Sequence, residues 1–274
     1  MYQYRKHLRG SFLNYFTALI IFMSFVFLCV LGGVLLGGES LKEINFLVIV
    51  IIIVGFLLFL LLELLLLYFI FLQRFRYINV QLTEDSIVYN NKKKKVVIPY
   101  DEIVEIKYPS IRYMGGWMEI KHTNGKIRLT VALKNIGEFM SKLKEKLDNL
   151  DKSSVYNEKK SFNFFKTATF SDESWERLYS IIKYILAMEY LSVFMVVVLA
   201  SLGIIYGEYS MVIGGIFAPV IGYLIVEFIL GRRVSKRIVD NEFKVLPVDR
   251  DKEKKYMRAS IAISTILYAL ILIL

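Results

Sequence analysis

The sequence predicts an α-helical integral membrane protein: two transmembrane hairpins and a short C-terminal hydrophobic helix, with one cytoplasmic α+β domain inserted between the hairpins. Three observations carry this. The 274-residue chain is 56% hydrophobic with mean hydropathy +0.50, above the roughly 45–50% apolar content of a soluble domain. Its charges are grouped, because residues 74–177 hold 20 basic and 14 acidic side chains while the long apolar runs hold almost none. Between the hairpins the pattern switches to short alternating stretches separated by turn residues, the period of β-strands.

Crossing the hydrocarbon takes about 20 mostly apolar residues in a helix, since every backbone amide must be satisfied within the segment. Four runs meet that length: 12–36 and 46–72 form the first hairpin, and 181–206 and 211–230 the second. The first pair is joined around Glu39, Lys42 and Glu43, the second at Gly207, Glu208 and Tyr209. A fifth run, 259–274, has 16 residues and reaches only about 24 Å as a helix, so it spans a thin bilayer or docks partway. The first run is longer than a signal peptide and lacks a small-residue cleavage pattern, so it is read as an anchor.

Orientation follows from Lys and Arg in the short flanks, which stay on the cytoplasmic side. Arg5, Lys6 and Arg9 precede the first run, Arg74 and Arg76 follow the second, and Arg232, Arg233, Lys236 and Arg237 follow the fourth. The hairpin loops carry one Lys and three Glu between them. This places the N-terminus, residues 73–180 and the basic segment 231–258 in the cytoplasm of a cell whose inner membrane the helices cross.

Within the insert, six strands are expected at 77–82, 86–89, 95–98, 103–108, 117–122 and 126–130. Asn124-Gly125 suits the positive φ angles of a tight hairpin turn, and the stretch 110–114 is where a seventh strand would lie. Ile136, Phe139, Met140, Leu143 and Leu147 then recur at helical spacing behind Asn135, a good N-cap, predicting an amphipathic helix to about Leu150. The domain is expected over 74–150, with 151–180 as a linker and interfacial segment.

This order resembles the bacterial pleckstrin-homology-like (PH-like) domain family over about residues 76–150. The resemblance is carried by Tyr77-Ile78-x-Val80-x-Leu82-Thr83-Glu84-Asp85-Ser86-Ile87, by Ile98-Pro99-Tyr100-Asp101-Glu102-Ile103, by the Asn124-Gly125 hairpin, and by the closing helix with Phe139. It implies a small β-barrel or sandwich closed by one helix, used as a binding or assembly module without catalytic residues. The helices after Arg177 are not covered by it.

Several residues are candidates for function. Lys92, Lys93, Lys94 and Lys95 are four consecutive cations, and near an anionic leaflet each Lys contributes about 1 kcal/mol; the alternative is a solvated turn. Phe165 and Trp175 stand among cations in the 159–180 segment, a composition suited to the headgroup zone or to packing against the domain. Ser171-Asp172-Glu173 looks like a helix start. Glu63, Glu189 and Glu227 are the acids within spans, where burying a charge is expensive enough to suggest an ion or proton site; pairing with Lys183 or Arg232 is the plainer account. Gly33 and Gly37, and Gly214, Gly215, Pro219 and Gly222, read as close-packing positions.

Other chemistries find no foothold. Cys29 is the single cysteine, which excludes an intrachain disulfide and a cysteine cluster. No phosphate-binding loop, nucleophile elbow or His-Glu-x-x-His motif occurs, and His7 and His122 are far apart in sequence. The alternating charges of 249–254 lack the glycine and distal glutamate of a calcium loop. The expectation is a non-enzymatic membrane scaffold or regulator without cofactor or metal, contacting anionic lipid and a protein partner or a second copy, and no nucleic acid. The alternatives are a small transporter or channel component using Glu63, Glu189 and Glu227, and a membrane-embedded enzyme.

Overall fold

The computed structural model describes residues 1–36, 46–111, 113–205, 210–239 and 242–273. The loop residues Glu39, Lys42, Glu43, Gly207, Glu208 and Tyr209, and Gly37 of the Gly33–Gly37 pair, lie outside the described residues. The chain is mostly helical and divides into two compact units. One comprises Met1–Gly10, Leu67–Glu176 and Gly231–Val248, the other Ser11–Leu66, Arg177–Leu230 and Asp249–Leu274.

The first unit holds the strands. All six expected ones form, as β2 (Asn79–Leu82), β3 (Ser86–Asn90), β4 (Lys95–Pro99), β5 (Ile103–Lys107), β7 (Gly115–His122) and β8 (Gly125–Thr130). Two short strands join them, β1 (Tyr2–Gln3) and β6 (Ser110–Ile111), the latter from the stretch that offered a seventh. The sheets are antiparallel: β1-β2-β3-β4 in one, and β7 bonded to β5, β6 and β8 in the other. Alternation sets which face is buried, so Met118, Ile120, Ile127 and Leu129 point into the core while Trp117 and Lys121 point away.

The β7–β8 turn departs from the expected type. His122 pairs with Gly125, so the loop residues are Thr123 and Asn124, and Asn124 does not have positive φ. Glu102 explains this, since Thr123 donates to its carbonyl through N–H (3.2 Å) and to its carboxylate through Oγ1 (2.8 Å).

Helix α4 (Ile136–Asp148) buries the stripe Ile136, Phe139, Met140, Leu143 and Leu147, as its spacing predicted. Asn135 is not its side-chain cap. It sits at φ 58°, ψ 34° without a capping bond, and its own N–H donates to Asp172 Oδ1 at 3.1 Å.

Residues 151–180 are more than a linker. Helix α5 (Glu158–Ser201) begins at Glu158, so Ser171-Asp172-Glu173 lies in mid-helix and not at a start. Phe162, Phe164, Phe165 and Ala168 from its first turns belong to the core of the sheet unit. Val234, Ile238 and Phe243 from the 231–248 segment join them, with Phe243 against Phe162 and Phe165 at 5.3 Å. The N-terminal residues are strapped in as well: Tyr4 is buried, Lys134 N–H donates to Gln3 O, and β1 extends the first sheet.

The second unit is helical: α1 (Phe12–Leu36), α2 (Phe46–Leu67), the later part of α5, α6 (Ser210–Arg237, its end in the sheet unit) and α7 (Arg250–Ile273). Among the described residues three helices are long and apolar enough to cross a membrane: Glu158–Ala200, Ile213–Arg237 and Arg250–Ile273; shorter apolar stretches occupy Phe12–Phe25 and Val54–Ile70. The last helix is longer than its 16-residue apolar run because the charged residues from Arg250 onward are helical, with Glu253 buried beside Arg250 at 3.2 Å. Two apolar clusters join α5, α6 and α7, one built on Val193, Val196 and Ile205, the other on Ile181, Ile185, Leu230, Met257 and Ile261. Gly222 lets α6 and α7 touch: a Cβ there would lie 2.7 Å from Ser260 O and 2.9 Å from Ile261 Cα.

Candidate functional site

Helix α2 continues through a π-turn (Tyr68–Leu72) into α3 (Gln73–Tyr77), which leads directly into β2. Such turns add a residue to the helical repeat and recur at functional sites. Here Tyr68 is buried while Phe69 is exposed, and Arg74 Nη2 donates to Ile70 O at 2.8 Å.

The pairing of β2 with β3 decides what faces that turn. Asn79 is opposite Asn90, so the chain entering β2 and the chain leaving β3 lie side by side. Asn91 shapes the β3–β4 connection: its Oδ1 accepts the N–H groups of Lys93 (2.8 Å) and Lys94 (2.9 Å), and its own N–H donates to Lys94 O. This turn, in which an Asn side chain substitutes for a backbone acceptor, aims Lys92 back toward α3, with Nζ 5.4 Å from the Tyr77 ring centroid.

Together these elements enclose a groove of about 520 Å³. Arg74, Lys92 and Lys93 supply its positive charge and Gln73 and Asn91 its amides, while Phe69, Ile78 and Tyr89 form the apolar wall. The four-lysine run is thus divided: Lys92 and Lys93 line the groove, whereas Lys94 and Lys95 do not, Lys95 being the first residue of β4. Gln73 and Phe69 had no signal of their own, because α-helical spacing does not foresee a π-turn. Arg74 was visible only as a flank charge.

The other sequence candidates are placed differently. Phe165 is 2% exposed in the sheet-unit core, the surroundings that the packing alternative of its two readings expects; its ring meets Phe243 from a segment remote in sequence. Trp175 is half-buried, stacked on His7 at 4.2 Å and beneath Arg5 at 5.8 Å. Arg5 and Arg9, read as flank charges, are structural: Arg9 Nε donates to Tyr4 O at 2.6 Å, and Arg5 is buried against Asp172. Arg237 pairs with the buried Glu173.

No hydrogen bond or ion pair among the described residues joins Glu63, Glu189 and Glu227 to one another. Glu63 is exposed on α2 and Glu189 half-buried on α5. The partner of Glu227 is Arg177, which donates from Nε at 2.8 Å and Nη2 at 2.7 Å in a two-pronged contact.

Elsewhere on the sheet unit several charges are paired. The outer face of β5, β7 and β8 carries Lys121–Glu105 at 2.8 Å and Arg128–Glu119 at 3.0 Å, and the Arg128 hydrogen bond holds the Glu119 carboxyl below the usual carboxylate range. A larger cavity of about 860 Å³ between β5 and residues 154–163 mixes Glu105, Lys107 and Lys160 with Tyr108 and Tyr156. Among the described residues no group of three His, Cys, Asp or Glu is placed to hold a metal ion.

Fold and groove define a helical protein with strongly apolar helices and a small antiparallel sheet unit that carries one basic, aromatic-edged groove. Comparison with protein-family models, with curated proteins and with solved structures finds no match for this chain.

Proposed function

We propose that the protein is a multi-pass inner-membrane protein whose sheet unit is a cytoplasmic, non-catalytic PH-like module, working as a scaffold or regulator through contact with anionic lipid and with a protein partner or second copy. The observation that carries this reading is the groove itself. Its first wall, with Arg74, follows directly in the chain on the apolar helix α2, and a cation close behind an apolar run is the flank charge expected on the cytoplasmic side of a membrane.

Supporting it, the helices expose large apolar side chains, among them Phe194 on α5, Phe217, Leu224 and Phe228 on α6, and Ile266 and Leu270 on α7. Exposed apolar surface on that scale marks contact with lipid or another chain. The strand order and the closing helix support the PH-like reading, in which the two sheets form a small barrel or sandwich. The flank cations Arg74, Arg76, Arg232 and Arg233 support the cytoplasmic orientation.

The test is fractionation of cells expressing the intact chain, followed by alkaline carbonate washing. Retention in the membrane pellet, with proteolysis of the sheet unit only after the inner face is opened, is the expected result. Release by carbonate, or cleavage from the outer face of intact cells, overturns the reading.

A further inference from the structure

We infer that the outward face of helix α2 is an interface with a second copy of this chain, the two Glu63 carboxyl groups bonding to each other inside the bilayer. The assignment rests on the membrane reading above and names the face and the partner that reading leaves open.

Helix α2 is apolar around nearly its whole circumference, so its composition selects no face; the fold does. Leu57, Leu61 and Leu64 are half-buried, whereas Gly55, Phe59, Leu62, Glu63 and Leu66 are exposed. With 3.6 residues per turn the exposed set forms one stripe about 100° wide, on the side opposite the half-buried leucines. A Cβ added at Gly55 would meet nothing within 4 Å, so the stripe is open to the bilayer at that point.

Glu63 stands in this stripe, and its carboxyl makes no hydrogen bond or ion pair among the described residues. Gln73 lies ten residues further on, about 15 Å along the helix, which is beyond the reach of a glutamate side chain. The carboxyl therefore cannot turn out to the headgroups, and facing hydrocarbon alone is expensive. A neighbouring helix that hydrogen-bonds it removes that cost.

A second copy supplies the bond through symmetry. Copies inserted with one orientation meet in parallel about a twofold axis along the membrane normal, so each residue faces its own equivalent at the same depth. Glutamate is self-complementary in that arrangement: a carboxyl in its acid form carries a donor and an acceptor, and two of them satisfy each other. Gly55, Phe59 and Glu63 follow one another at i, i+4 and i+8. Gly55 admits close approach of the two backbones, and Phe59, 55% exposed, Leu62 and Leu66 supply the apolar contact.

The experiment measures the monomer–dimer equilibrium of the intact chain in mild detergent by native mass spectrometry, over a range of protein-to-detergent ratios. Tryptophan fluorescence reports folding of the sheet unit, since both tryptophans, Trp117 and Trp175, lie in it. A dimer is expected, with its dissociation constant raised about tenfold by Glu63→Leu and by Gly55→Leu, and changed less than about threefold by Glu63→Gln, which keeps a donor and an acceptor. Because Gly55 has open space around it, a loss at that position reports contact between chains. In native membranes, with Cys29→Ser as background, oxidation should cross-link Phe59→Cys on the outward face and leave Leu61→Cys on the inward face as monomer.

A monomer at every ratio, or cross-linking at 59 no greater than at 61, from a chain that resists carbonate extraction overturns the interface alone. A dimer unchanged by both Glu63→Leu and Gly55→Leu assigns self-association to another face and overturns it too. A complex of one copy with a different chain, lost in Glu63→Gln, would make the partner a helix bearing a cation and not a second copy. Failure of the membrane reading is detected separately, as carbonate release.

Discussion

Arg5 and Asp172, 167 residues apart in sequence, form a buried ion pair with Nη2 to Oδ1 at 2.6 Å, and through it the N-terminal segment is fastened to helix α5 within the sheet unit. The same Asp172 oxygen accepts the N–H of Asn135, and Arg5 Nη1 donates to Val131 O at 2.6 Å, so one contact ties the N-terminal strand, the β8–α4 connection and α5 together. Losing one partner strands the other. Arg5→Met is expected to destabilise the sheet unit by about 3–5 kcal/mol, and Arg5→Met with Asp172→Leu to recover most of that, since a buried pair replaced by apolar residues is often neutral. Urea unfolding followed by tryptophan fluorescence measures both; a single variant as stable as wild type would contradict the coupling.

The pair also makes stability depend on pH. Burial raises the Asp172 carboxyl from 3.8 to about 6, against the opposing pull of Arg5 and the Asn135 N–H. Because the folded value lies above the unfolded one, the stabilisation from this group is fully present below about pH 4 and is lost as the pH rises through 6, by about 3 kcal/mol at the limit. Asp172→Asn cannot titrate. Relative to it, wild type should lose stability between pH 4 and 6, and parallel profiles for the two proteins would refute the assignment.

Phe165 separates packing from membrane anchoring. As a core residue it should cost about 3–5 kcal/mol when replaced by Ala, through lost transfer energy and the cavity left behind. An interfacial ring would change membrane contact and leave the unfolding midpoint of the sheet unit unchanged. The same fluorescence assay decides.

Gly222 tests the contact between α6 and α7. A Cβ at this position would meet Ser264 Oγ as well as the backbone of Ser260 and Ile261, and overpacking of this kind typically costs about 1–3 kcal/mol. Gly222→Val should therefore lower the temperature at which the detergent-solubilised protein aggregates. Ile221→Val, at an exposed neighbour, serves as the control; equal behaviour of the two variants would count against close packing there.

Glu227 and Arg177 are expected to behave as a structural pair. Glu227→Gln leaves the guanidinium of Arg177, 2% exposed, without its carboxylate, a loss of about 3–5 kcal/mol. Arg177→Met with Glu227→Leu should restore much of the stability. A Glu227→Gln protein as heat-resistant as wild type would reopen the transport reading of this glutamate.

Of the candidate site, the lysine run could be read directly, because four adjacent cations are a local property. The groove could not. Arg74 and Lys92 come together only because β2 pairs with β3 in one register and because a π-turn rotates the helix end, and both depend on contacts between distant parts of the chain. The positions whose partners could not be read share this cause: Phe165, Arg5 and Asp172 each have an innocuous local setting, and their partners Phe243, Asp172 and Arg5 come from remote segments.

The sequence by itself determined the apolar helices, the six strands and the amphipathic stripe of α4, because length, hydrophobic period and turn chemistry act over a few residues at a time. Tertiary structure alone decided that the sheet unit draws on three separate stretches of chain, and which charges pair in the interior. Those outcomes follow from burial: a guanidinium or carboxylate removed from water must find its counterpart wherever the fold brings one within reach, and distance along the chain does not enter that requirement.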